Sequence, residues 1–335
     1  MKSTGEAAAF VGVTTLFFGW GFISANNDPL IAALIACFDL SYTEAILIQI
    51  VSFAAFGLVS LPAAALLARV DAPRAIAVAL LLMMGGCLLV SSVTATQRYE
   101  LILAALFLLA AGITTLQVAA NPFAAALGAP ERSHFRLTLA QAFNSLGVVA
   151  GVSFGSAIML GDDVLAAAHA HALDLTQRAE VLEGVSRAFA WMGAMVGVLL
   201  AITWASMRKM EGRLAVDGAS PFAALGCSWA RAGALAIGLY VGAEISIASI
   251  MINFLHQAEI LNVSLEAAGF YLANGYWMAA LIGRFAGSYL LTFTPAPRLL
   301  AVAAGCSVVL CLVVVLTRGP LAAYAALAVG LFNSI

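Results

Sequence analysis

Apolar residues run through this chain in blocks of about twenty or more, separated by short polar joints. A bilayer core takes about 20 apolar residues per helix. On that ruler the pattern predicts helices over Ala7–Cys37, Tyr42–Arg69, Arg74–Ser92, Tyr99–Leu127, Phe135–Leu160, Val185–Met207, Trp229–Glu259, Leu265–Leu291 and Pro297–Leu316. A tenth begins at Pro320 and is still apolar at Ile335. The joint from Arg208 to Ser228 is the longest charged stretch on its side and divides six helices from those that follow. The expected architecture is an all-α integral membrane protein. A six-helix bundle occupies 1–207, a cytoplasmic linker 208–228, and an incomplete second bundle 229–335.

Composition narrows this to one class. Of 335 residues, 63% are hydrophobic and only 10% charged, whereas soluble domains carry roughly a quarter charged residues. A net charge of −2 and the lack of any basic tract speak against a nucleic-acid partner. The five cysteines are scattered without CxxC spacing and read as small core residues. The first apolar run is too long for a cleavable signal peptide and has no small-residue cleavage site. Lys and Arg set the orientation. With the N-terminus inside, ten basic residues lie on the cytoplasmic side against four outside (Arg98, Arg178, Arg187 and Arg318), and Arg284 lies within a helix.

The candidate chemistry centres on Gly112–Phe123, GITTLQVAANPF. It places Gln117 and Asn121 one helical turn apart on one face, and Pro122 then removes a backbone donor. Inside a bilayer, such groups are tolerated only against protein or a wet cavity. The segment is therefore either a tight helix contact or the wall of a substrate path. Asn27 and Asp28 sit deep in the first helix, next to Pro29. A lone membrane aspartate costs about 2.5–3.5 kcal/mol on insertion scales, and a buried carboxyl that exchanges protons suits a coupled carrier. The alternative is an aspartate near the outer helix end, held by its asparagine neighbours.

In the fifth predicted helix, Thr138, Gln141 and Asn144 recur every third residue along one stripe. Amides and hydroxyls both donate and accept, which matches a sugar's hydroxyl groups, but the same residues also serve as glue between helices. With Gln49, Gln117, Asn121, Asn253, Asn274 and Trp277, the polar groups are too many for glue alone. Trp277, one turn from Asn274, is placed to stack on a sugar face or simply to pack. Glu244 and Arg284 are the other deep charges; Arg284 reads as structural, and Glu244 is either its counter-charge or part of the coupling. Two motifs are decoys. The GVSFG at Gly151–Gly155 mimics a hydrolase elbow but lies within a membrane helix, where Gly147, Gly151 and Gly155 form a small-residue stripe. His169 and His171 lack the further ligands that a metal site needs.

The first and seventh helices each carry one deep carboxylate, and the fourth and tenth share small-residue openings (AAGITT and AVGLFN). This repeat fits a carrier built from two similar halves. The stretches FGWGFISANNDPLI, FDLSYTEAILIQ, GITTLQVAANPF, RLTLAQAFNSLG, YVGAEISIAS and IGRFAGS fall in order across nearly the whole chain. In them the sequence resembles the major facilitator superfamily sugar transporters that include the fucose permease and bacterial glucose/galactose transporters. The resemblance implies a twelve-helix, two-bundle fold of the bacterial inner membrane, a monomer that moves a monosaccharide by alternating access with H+ or Na+ coupling and no cofactor. It implies substrate contacts at Asn27, Gln49, Gln117, Asn121, Gln141, Asn144, Asn274 and Trp277, and cation coupling at Asp28 and Glu244. The fucose branch carries a glutamate where this chain has Gln117, which favours glucose or galactose over L-fucose and removes a second carboxylate. Asp71 stands where the superfamily's second-helix turn would have glycine. Against the family pattern, the tenth helix is cut short and two helices are missing. The 335-residue chain by itself is therefore expected to insert but not to transport. A sugar sensor that binds without transport is the rival from another class, and no HExxH or similar set supports a membrane enzyme.

Overall fold

The computed structural model describes residues 2–38, 40–159, 175–207 and 221–334. These residues are nearly all helix, in the order α1 (Lys2–Ser24), α2 (Asn27–Phe38), α3 (Tyr42–Leu67), α4 (Ala72–Val93), α5 (Tyr99–Ala126), α6 (Ser133–Met159), α7 (Leu175–Met207), α8 (Ser228–His256), α9 (Leu265–Tyr271), a π-helical turn (Leu272–Trp277), α10 (Met278–Leu290), α11 (Ala296–Leu316) and α12 (Pro320–Asn333). Eight spans among the described residues are long and apolar enough to cross a bilayer.

Three expectations need correction. The first predicted helix is two, because the chain turns at Ala25–Asn26 between α1 and α2. Pro29 has no N–H to offer the Ala25 carbonyl, and the Asn26 N–H bonds Ile23 O at 3.2 Å instead of the residue one full turn back. The sixth helix starts ten residues earlier than predicted, at Leu175. Its opening turns, LTQRAEVLEG, are polar helix formers that a hydropathy ruler does not register. The predicted eighth helix is a helical run interrupted by the π turn. Asp71, unexpected in its turn, caps α4: its carboxylate accepts the Arg74 N–H at 3.0 Å, with Pro73 in the first turn. Ser41 and Glu44 form a capping box on α3. The histidine pair, most of the outer loop and most of the central linker lie outside the described residues.

The described chain divides into two compact units, residues 1–127 with 143–221 and residues 128–142 with 222–335. In the first, α5 packs on α3 and α4, α4 on α7, and α1 on α5 and α7. Small residues set these distances. A side chain at Gly86 would meet the Leu109 backbone at 2.6 Å, and one at Gly112 the Met83 amide at 2.6 Å. Ser91 and Ser186 pair their hydroxyls at 2.9 Å between α4 and α7. The small-residue stripe of α6 has a matching row on α1. Side chains at Gly147 and Gly151 would collide with the carbonyls of Phe18 and Phe22, and one at Gly155 with the Asn26 amide oxygen. Two rows rising four residues at a time face each other, so α1 and α6 run parallel at backbone distance. In the second unit, α12 packs on α8, α10, α11 and the π turn around a core that includes Met251, Leu255, Tyr276 and Leu327.

Candidate functional site

The helix break organises the polar groups of the first unit. With its own backbone N–H diverted, Asn26 donates its side-chain amide to Phe22 O at 2.7 Å, replacing the lost ladder bond. Asn26 is fully buried, and its amide oxygen has no hydrogen-bond partner among the described residues. Its backbone carbonyl accepts from Leu30 N at 3.1 Å and so starts α2. Asp28 therefore lies in the first turn of a new helix rather than in mid-helix. Unsatisfied N–H groups at a helix start favour negative charge. The Asp28 side chain is exposed, and no hydrogen bond or ion pair to it is found among the described residues. An exposed carboxylate on a membrane helix has to face water or protein, not lipid. Asn27 donates to Ser52 Oγ at 3.4 Å and ties α2 to α3.

Gln49 on α3 is half-buried, as are Gln117 and Asn121 on α5. The last two share a face above Pro122, which stays inside the helix and withholds a donor from the Val118 carbonyl. The Asn121 amide oxygen is buried without a hydrogen-bond partner among the described residues. That leaves an unmatched acceptor on the predicted wall, as a substrate hydroxyl or a water would require. Thr114 and Thr115 turn back on their own helix, to Ala110 O and Ala111 O.

The predicted stripe on α6 separates by surroundings. Asn144 is 9% exposed and donates to Phe17 O at 3.1 Å, across to α1. That bond ties the two helices together. Gln141 is half-buried and belongs with the second unit. Thr138 lines a cavity of about 330 Å³ with His134, Leu291, Pro297 and Leu300.

In the second unit, Glu244 on α8 and Arg284 on α10 approach to 3.5 Å, with side chains 12% and 17% exposed. Tyr240, one turn before Glu244, lies beside both charges. Tyr276, in the π turn, donates to Glu244 O at 3.5 Å. The sequence pattern marked the two charges but not Tyr240 and Tyr276. Tyr240 was discoverable from its i, i+4 spacing to Glu244. Asn274 is exposed and donates to Phe270 O at 3.2 Å, and Trp277 is half-buried, edge-on to Tyr276 at 5.2 Å. Both lie in the π turn, a feature frequent at functional sites.

The two deep carboxylates thus differ. Glu244 is held by a cation; Asp28 stands exposed at a helix start. No family model matches the chain. It is similar to a glucose/galactose transporter of Brucella abortus, 38% identical over 98% of this chain and 77% of the relative. The L-fucose–proton symporter of Escherichia coli is 29% identical over 93% of this chain and 74% of the relative. Among solved structures, the major facilitator superfamily transporter FucP in its outward conformation superposes with a TM-score of 0.82, at 28% identity, over 98% of this chain and 82% of that one. These relatives are transporters, not enzymes. The chain belongs to their family of sugar transporters in the major facilitator superfamily and is a multi-pass membrane protein.

Proposed function

We propose that the protein carries glucose or galactose across a bacterial inner membrane by cation-coupled alternating access, with its N-terminus in the cytoplasm. The observation that carries this reading is the contrast between the two deep carboxylates. Glu244 has Arg284 at 3.5 Å, so its charge is balanced. Asp28 is exposed at the start of α2, with protein or water as its only acceptable surroundings. Asp28 is therefore the residue on which an incoming H+ or Na+ acts. Gln117 and Asn121 offer neutral donors and acceptors suited to an uncharged hexose, with Gln49, Gln141, Asn274 and Trp277 as further contacts. The preference for glucose or galactose rests on Gln117 and on the 38% identity to a relative so named. The ten-to-four distribution of basic residues supports the orientation.

The test is uptake of labelled glucose, galactose and L-fucose into vesicles containing the full-length protein, with a pH or a sodium gradient imposed alone. Asp28→Asn should abolish accumulation under the driving gradient yet permit exchange at equal sugar concentrations. Full accumulation by Asp28→Asn under either gradient would reject Asp28 as the coupling residue. Binding without exchange in the parent protein would make it a sensor.

A further inference from the structure

We infer that Gly155 is a positioning residue for the coupling carboxylate. It acts through Asn26 to hold the break between α1 and α2, and so to fix where Asp28 stands. The inference rests on Asp28 carrying the coupling ion.

The argument starts from the row of close approaches between α1 and α6. At Gly147 and Gly151 the facing atoms are main-chain carbonyls of a continuous helix, those of Phe18 and Phe22. At Gly155 the helix has ended, and the facing atom is the Asn26 side-chain oxygen, with Pro29 Cγ at 2.9 Å from the place a Cβ would take. The same glycine therefore touches both residues that define the break, one on each side of Asn27 and Asp28. Asn26 cannot swing away without loss. Its amide nitrogen holds Phe22 O at 2.7 Å, its backbone carbonyl starts α2, and its amide oxygen is buried with no hydrogen-bond partner among the described residues. Facing a glycine, that oxygen meets a polarised Cα–H in place of a conventional donor. A methyl group at position 155 would push Asn26 and Pro29 together and turn the first turn of α2, which carries Asp28. Gly147 and Gly151 have no such lever, because α1 is continuous where they touch it.

The prediction is a split between coupling and binding. Gly155→Ala should lower the sugar accumulation ratio under the driving gradient at least tenfold, while hexose affinity changes less than threefold. Asn26→Ala adds no bulk and removes the same contact, so it should give the same phenotype. Because both break one contact, Gly155→Ala with Asn26→Ala should be no worse than either alone. Ser153→Ala, on the exposed side of α6, serves as the control. The inference is overturned if Asn26→Ala accumulates sugar like the parent, if the two losses add, or if affinity falls as far as accumulation. Should Gly155→Ala fail to fold, Asn26→Ala decides alone. Asp28→Asn in the same assay separates the two levels. Full accumulation by Asp28→Asn removes the coupling assignment itself. Loss there, with Gly155→Ala and Asn26→Ala both like the parent, leaves that assignment standing and rejects Gly155 alone.

Discussion

Replacing Glu244 by glutamine distinguishes a structural charge pair from a coupling carboxylate. At the observed 3.5 Å separation, with an effective dielectric of about 20, the gross attraction between Glu244 and Arg284 is about 5 kcal/mol. Most of that is offset by the cost of taking both ions out of water, so the pair as a whole contributes little net stability. Removing one partner is a different perturbation, because it strands the other charge in a region where only 12% to 17% of either side chain is exposed. Breaking a buried pair in this way costs about 3–5 kcal/mol. Tyr240 remains beside Arg284 after the change, which places the expected loss near the lower end, about 3 kcal/mol. In detergent-solubilised protein that should lower the thermal midpoint by about 5 °C. The paired variant, Glu244→Gln with Arg284→Gln, should recover to within about 1 kcal/mol of the parent, since no charge is left unpaired. Accumulation of sugar, scaled to folded protein, should survive in the paired variant. The reasoning fails if Glu244→Gln melts like the parent yet loses accumulation under an imposed ion gradient. Glu244 would then carry coupling.

Asn144→Ala removes a buried tie to Phe17 O and should cost about 1–3 kcal/mol of stability, read as a lower melting midpoint with hexose affinity per folded protein unchanged. Gln141→Ala should weaken hexose binding about tenfold, the loss of one buried hydrogen bond, when measured by equilibrium binding; unchanged affinity would remove Gln141 from the pocket. Gln117→Glu restores a second carboxylate on α5 and should alter the ion dependence of uptake, seen by comparing proton and sodium gradients in vesicles. Gly151→Ala drives a methyl group into the Phe22 carbonyl and should destabilise by about 1–3 kcal/mol, visible as a lower midpoint and a lower yield of folded protein.

The sequence by itself determined the class, the spans and the location of the polar residues. Hydrocarbon demands long apolar helices, and a charge inside one stands out against that background. Family membership was legible for the same reason, since the recognisable stretches are those where polar residues interrupt an apolar run. Tertiary structure alone decided what each of those residues touches. Asn144 and Gln141 look alike on one stripe, and only the neighbouring α1 shows that the first is occupied by Phe17. Glu244 and Arg284 lie 40 residues apart, and packing of α8 against its neighbours decides that they pair. The division at Asn26 escaped the hydropathy ruler because one diverted hydrogen bond barely changes local apolarity. The π turn escaped it too, since its six residues carry no charge to interrupt the apolar run. Backbone hydrogen bonding is settled by which carbonyls have partners, and side-chain pairing by which helices touch. Neither is written in the order of apolar and polar positions along the chain.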